Sequence, residues 1–248
     1  GGLFSINSSS GAVITAGSLL NDAGSHSVTL SASDGTNAGT ATLTVTINDT
    51  TAPSAPTLTG SSLTNDSTPT WTGVAEASAT VTVLNGGVPL GQATADGSGN
   101  YSFTPGTALS DGTHVISSNA SDGSGNTSTA SSSLTVLVDT NTPGVPTISA
   151  TSPTKDSTPT FTGTAEAVMT VNILSDGATF GQATADGGGN YSFTPSAAFS
   201  DGSFTITATA ADSAGNTSGT SDGLSLVVDT AAPAAPTFTG TTPTKDNT

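Results

Sequence analysis

Apolar residues alternate with serine, threonine and glycine in short runs along the chain, and Gly, Pro, Asn and Asp bound the runs. A period of two places successive side chains on opposite faces, so these runs predict half-buried β-strands. Few stretches have a helical period, and long helices are not expected. Phe4-Ser5-Ile6 and Ala12-Val13-Ile14 flank a Ser/Gly turn and predict two short strands. Residues 27–32 and 41–47 predict a hairpin joined through 34–39. From residue 49 the pattern repeats. Residues 49–138 and 139–228 align without a gap at a spacing of 90, and more than half of the paired positions are identical. Each copy predicts seven strands, in the first at 55–59, 69–74, 79–85, 88–94, 100–104, 113–120 and 131–138. Turn signals roughly every 8–12 residues between such strands predict an antiparallel sandwich.

The expected fold is therefore all-β, a tandem of seven-strand antiparallel β-sandwiches. The expected domains are 1–48, with about half of a sandwich, two full copies at 49–138 and 139–228, and the start of a further copy at 229–248. Alternation assigns Trp71, Val81, Val83, Tyr101, Phe103, Leu134, Val136 and Val138 to the first core. Phe161, Val171, Ile173, Tyr191, Phe193, Leu224, Leu226 and Val228 are their counterparts, and His114 takes the place of Phe204. Gly1-Gly2-Leu3-Phe4 reads as the middle of a domain and 243–248 as a connection, so the chain is expected to be an excerpt of a longer array.

Composition sharpens this picture. Only 33% of the 248 residues are hydrophobic and the net charge is −16, a combination that can mean disorder. Alternating runs that recur in register argue against it. Lys155 and Lys245 are the only basic residues besides two histidines, so nucleic acid and anionic lipid are poor partners. No apolar run approaches the length that spans a bilayer. Cysteine is absent, so disulfides do not stabilise these units, and small extracellular domains without disulfides commonly need another staple, such as a metal ion.

The acidic residues supply candidates. Asp49, Asp139 and Asp229 mark three joints, 90 residues apart. Sandwich topology puts the start of each copy at the same end as three of its loops. In the first copy these loops carry Glu76, Asp96 and Asp122, so Asp49, Glu76 and Asp122 can meet, with Asp96 a possible fourth. The second set is Asp139, Glu166 and Asp212, with Asp186. Crowded carboxylates need a cation, and calcium takes six to eight oxygens with flexible geometry. The bland reading stands beside this one: Asp and Asn favour turns because they bond their own backbone. It is preferred for Asp96, Asp186, Asp111, Asp201, Asp66, Asp156, Asn126 and Asn216. His26 and His114 read as structural. There is no nucleophile–histidine–acid set, paired-carboxylate site or phosphate loop, so an enzyme is not expected.

Several motifs fall in order twice: Asp-Thr-x-x-Pro at the joint, Asp-Ser-Thr-Pro-Thr, Gly-x-Ala-Glu-Ala, Ala-Asp-Gly-x-Gly-Asn-Tyr-Ser-Phe-Thr-Pro and Asp-x-x-Gly-Asn-Thr-Ser. Residues 49–248 thereby resemble bacterial Ig-like domains of giant adhesins and biofilm proteins exported by type I secretion in Gram-negative bacteria. Residues 1–48 resemble the last half of a cadherin-like domain, with Asn21-Asp22 in place of its acidic Glu motif. The resemblance implies an extracellular rod stiffened by calcium at its joints, with Asp34 facing an upstream joint. It implies a spacer for cell adhesion or biofilm formation, whose partners are adjacent domains of the same chain. Rival readings are a filament subunit completed by strands from other copies, a glycan-binding module, and a spacer attached to a secreted hydrolase.

Overall fold

The computed structural model describes residues 36–240, and the backbone of 4–6, 13–15 and 24–33. The chain forms two compact units, Gly1–Asp139 and Thr140–Thr248. In the first, β1 (Phe4–Ile6) pairs with β2 (Val13–Thr15), and β3 (Gly24–Ser33) pairs with β4 (Ala38–Ile47) over ten residue pairs. Both expected pairs therefore form.

The sandwich of this unit follows with β5 (Leu63–Thr64), β6 (Trp71–Val74), β7 (Thr80–Asn85), β8 (Val88–Thr94), β9 (Asn100–Phe103), β10 (Gly112–Ser121) and β11 (Leu134–Val138). One sheet has the order β5-β11-β10-β7-β8, and β6 pairs with β9 in the other. The second unit repeats this with β12 (Phe161–Thr164), β13 (Thr170–Ser175), β14 (Ala178–Thr184), β15 (Asn190–Phe193), β16 (Gly202–Ala211) and β17 (Leu224–Val228). Its sheets are β14-β13-β16-β17 and β12-β15. All strand pairs are antiparallel except β5 with β11.

Three sequence expectations need correction. The segment 55–59 is not a full strand. Thr57 and Thr59 donate their N–H groups to Val74 O and Thr72 O, and Thr59 O accepts from Thr72 N. The ladder stops there because Tyr101 Oη donates to Thr57 O at 2.6 Å, leaving Val74 N to bond Thr57 Oγ1 at 2.8 Å. Second, β11 begins at Leu134 and not at residue 131. Before it, Ser128 Oγ and Ser131 Oγ accept the N–H groups of Ala120 and Ser118 at 2.9 and 3.0 Å. The three residues 118–120 of β10 thus face the four residues 128–131, a bulged edge bridged by hydroxyls. Ser218 and Ser221 do the same for Ala210 and Ala208. Third, β5 runs parallel to β11, with Leu63 opposite Leu137, and two residues are too short for alternation to reveal.

The core matches the inward pattern except at Leu134 and Leu224, which are only partly buried. Trp71, Val81, Val83, Tyr101, Phe103, Val136 and Val138 are buried, joined by Ile116 and Ala120. Trp71 and Phe103 stack with centroids 6.3 Å apart. In the second core Phe199 adds a buried ring, while Phe193 is only partly buried. Close approach of 57–59 to β6 requires Gly73, where a Cβ would lie 2.0 Å from Thr57 O, and Gly163 stands in the same relation to Thr147 O. Gly73→Ala should therefore detach this edge, lowering thermal stability by about 1–3 kcal/mol, the usual penalty for overpacking. Calorimetry of the variant checks this; an unchanged melting temperature would contradict it.

Candidate functional site

Each sandwich gathers its start and three of its loops at one end, and the joint is held there. Asn126, in the loop after β10, donates from Nδ2 to Asp49 O at 3.1 Å and to Asp122 Oδ2 at 2.8 Å. Asp49 Oδ1 accepts the Thr51 N–H at 2.9 Å, closing a turn within the joint. Glu76 lines a hollow with Ser54 and Ala55, the residues just past the joint. At the matching place in the second unit, Glu166 Oε1 accepts the Gly144 N–H at 2.5 Å. Asn126 thus ties the main chain at Asp49 to the loop of Asp122, and Glu76 lies beside the residues just past the joint.

The carboxylates themselves are occupied with their own loops. Asp122 Oδ1 accepts the N–H groups of Ser124 and Asn126 at 2.8 and 2.9 Å. Asp212 Oδ1 accepts those of Gly215 and Asn216, and its Oδ2 accepts Asn216 Nδ2 at 2.7 Å. Asp96 and Asp186 close their turns the same way, onto Ser98 and Asn100 and onto Gly188 and Asn190. The turn reading preferred for these two is what the structure has. Among the described residues, no three Asp, Glu or His side chains converge as a ligand set for a metal ion. Asp34 lies outside the described residues, and Asp139 N donates to Thr64 O at 3.0 Å.

The hydrogen bonds set the titration of these groups. The Asn126 side chain holds Asp122 below the ordinary carboxylate value, and the Asn100 N–H does so for Asp96, as the Asn190 N–H does for Asp186. For Asp212 desolvation pushes upward, but the side chain and N–H of Asn216 and two further N–H groups outweigh it. Tyr191 is pushed up to about 12 by burial, so its phenol remains a donor to Thr147 O.

At the opposite end an unforeseen contact holds the exit. Asp201, read from sequence as a turn residue, accepts the Thr230 N–H at 2.9 Å and the Thr230 hydroxyl at 2.8 Å, both on Oδ1. Asp229 N donates to Thr154 O, and Asp229 Oδ1 accepts the Ala231 N–H at 3.1 Å. Three consecutive amides of the joint are thereby fixed, two of them by carboxylates. The Thr230 N–H lowers the Asp201 pKa. The available signal was the recurrence of Asp111 and Asp201, 90 residues apart, before the sixth strand of each copy.

The fold and its loops define an Ig-type sandwich. The model of the bacterial Ig-like domain matches residues 54–140 and 147–230, and the chain belongs to that family. No curated protein matches it. Among solved structures it is similar to a tetra-tandem repeat in the extending region of a large adhesion protein, at 24% identity over 84% of this chain and 57% of that one, with a TM-score of 0.35. It is also similar to the BSP domain of a biofilm associated protein, at 19% identity over 71% of this chain and 30% of that one, with a TM-score of 0.29. The chain thus spans less than two thirds of either. No described helix is long and apolar enough to cross a membrane.

Two outcomes follow. Carboxylates whose folded pKa is depressed stabilise the fold above their unfolded value, ordinarily 3.8, and that contribution is lost as pH falls through the folded value. The melting temperature should stay level near neutrality and drop below about pH 4; a melting temperature that rises on acidification would refute the assignment. Asp201→Ala should release the Thr230 amide, raising its hydrogen-exchange rate about fivefold or more while β17 stays protected. Amide exchange by NMR measures both.

Proposed function

We propose that this chain is a structural spacer of a bacterial surface or matrix protein, a run of sandwiches that holds functional parts of a longer adhesin apart. The observation that carries it is where the polar side chains are spent. Asn126, Glu166 and Asp201 grip main-chain atoms of the segments entering or leaving their sandwiches. Such contacts fix the path of the chain, which is what a spacer under load requires. An extracellular location accords with family membership and with a surface carrying almost no basic residue. Export through type I secretion in a Gram-negative bacterium and a cadherin-like origin for residues 1–48 belong to the same proposal.

Calcium is its second part. Asp49, Glu76 and Asp122 lie at one end of the first sandwich, and Lys155 is the single Lys or Arg among the described residues. The fit is partial, because Asp122 already accepts through both oxygens and Asp49 through Oδ1. An ion held there would take oxygens from Asp49, Glu76 and Asp122 and would compete with the N–H groups that now cap them. It would supply charge neutralisation alone, and the mechanical role does not depend on it.

Pulling the whole chain by its ends tests the spacer. Two separate unfolding events are expected, each releasing about 300 Å at ~3.3–3.6 Å per residue. A single early event with no mechanical resistance, or reproducible hits on a glycan array, would displace this reading. Calcium is tested by melting in calcium against chelator: a stabilisation of about 2.7 kcal/mol at a hundredfold excess over Kd, abolished in Glu76→Gln, is expected. An equal melting temperature in both buffers removes calcium and leaves the spacer in place.

A further inference from the structure

We infer that Asn85 is a self-modification site, a deamidation centre that the fold keeps silent while its hairpin is closed. Asn85-Gly86 is the one Asn-Gly pair in the chain. It sits where β7 turns into β8, with Gly86 and Gly87 at φ 56° and 85° forming the two-residue loop. In an open chain this pair cyclises readily, because glycine has no Cβ to hinder the approach. The Gly86 amide nitrogen, losing its proton to hydroxide, attacks Asn85 Cγ. A C–N bond forms, and the carboxamide nitrogen leaves as ammonia. Water then opens the five-membered imide at either carbonyl, giving aspartate or isoaspartate at position 85.

The fold ties up both reacting groups. The Gly86 N–H donates to Val115 O at 2.8 Å. Asn85 Nδ2 lies 2.9 Å from His114 Nδ1, and His114 Nε2 lies 2.8 Å from Ser110 O. The carbonyl can only accept, so Nε2 carries the proton and Nδ1 accepts from the carboxamide. Cyclisation must break the amide bond to β10 and swing the carboxamide off His114. The second repeat isolates this arrangement. Ser175 and Phe204 stand where Asn85 and His114 do, and both members of the pair are replaced together. There Asp176, in the place of Gly86, ties the hairpin to the neighbouring strand instead, accepting the Thr205 N–H at 2.9 Å. Isoaspartate lengthens the main chain by one methylene at the last residue of β7 and spoils the pairing of Asn85 with Val88. The first repeat therefore keeps an irreversible record of having opened, marked by the loss of ammonia at Asn85.

Peptide mass spectrometry of the intact chain after incubation at mildly alkaline pH, with and without guanidinium chloride, tests this. Deamidation at position 85 should be slower in the native chain by about tenfold or more, as expected for a site reached only through local opening. His114→Phe, which installs the residue of the second repeat, should raise the native rate toward the denatured one while circular dichroism shows a folded chain. Equal native and denatured rates would overturn the inference, as would a folded His114→Phe chain with an unchanged native rate. Should that variant not fold, the comparison on the unaltered chain decides alone.

Discussion

Buried backbone N–H groups must find an acceptor, and in these sandwiches many of them find a side-chain oxygen. Ser128 and Ser131 bridge the gap before β11, as Ser218 and Ser221 do before β17. At the exposed edge the Thr57 and Thr147 hydroxyls likewise take the amides of Val74 and Thr164. Aspartates close the loops. An unpaired buried donor costs roughly 1–3 kcal/mol, so each substitution of hydroxyl or carboxylate for a carbonyl decides whether a short strand can end where it does. A chain with 33% hydrophobic residues has a thin core and little margin for orphaned donors.

The two repeats show which parts of this scheme are interchangeable. Tyr101 and Tyr191 bond Thr57 O and Thr147 O at the same 2.6 Å, and Gly73 and Gly163 leave the same room for those carbonyls. The core rings are less constrained. Trp71 leaves its buried Nε1 without a partner, whereas Phe161 at the matching position has no such atom. The hairpin after the third strand is also solved twice, by Asn85 with His114 and by Asp176 with Thr205 N. The tyrosine and glycine contacts with Thr57 O and Thr147 O recur in both copies, whereas the hairpin contacts differ between them.

The same distinction explains what could be read from the sequence. Alternation reports burial, so Trp71, Val81, Val83 and Val136 were legible, as were the hairpin of β3 and β4 and the sandwich class. Loop order reports topology, and Asn126 of the loop after β10 does reach the main chain at Asp49. Hydroxyl bridges carry no periodic signal, and for that reason alternation starts β11 three residues early, at 131 where the strand begins at Leu134. The partner of a carboxylate is equally hidden. Asp201 and Asp186 both look like turn residues, yet one reaches 29 residues along the chain to Thr230 and the other closes its own loop.

That difference bears on what an acidic joint is for. A carboxylate that accepts an N–H is stabilised in its charged form and holds a loop without any ion. A carboxylate recruited to a cation must give up part of that bonding. At the first joint Asn126 connects the two roles, because its one amide group bonds both Asp122 Oδ2 and Asp49 O. Drawing Asp122 toward an ion would pull on the group that holds the joint's main chain. The loop and joint therefore respond together to whatever occupies the acidic end. The bonds described at the joint are amide–oxygen bonds, and the ion proposed for it would compete with them.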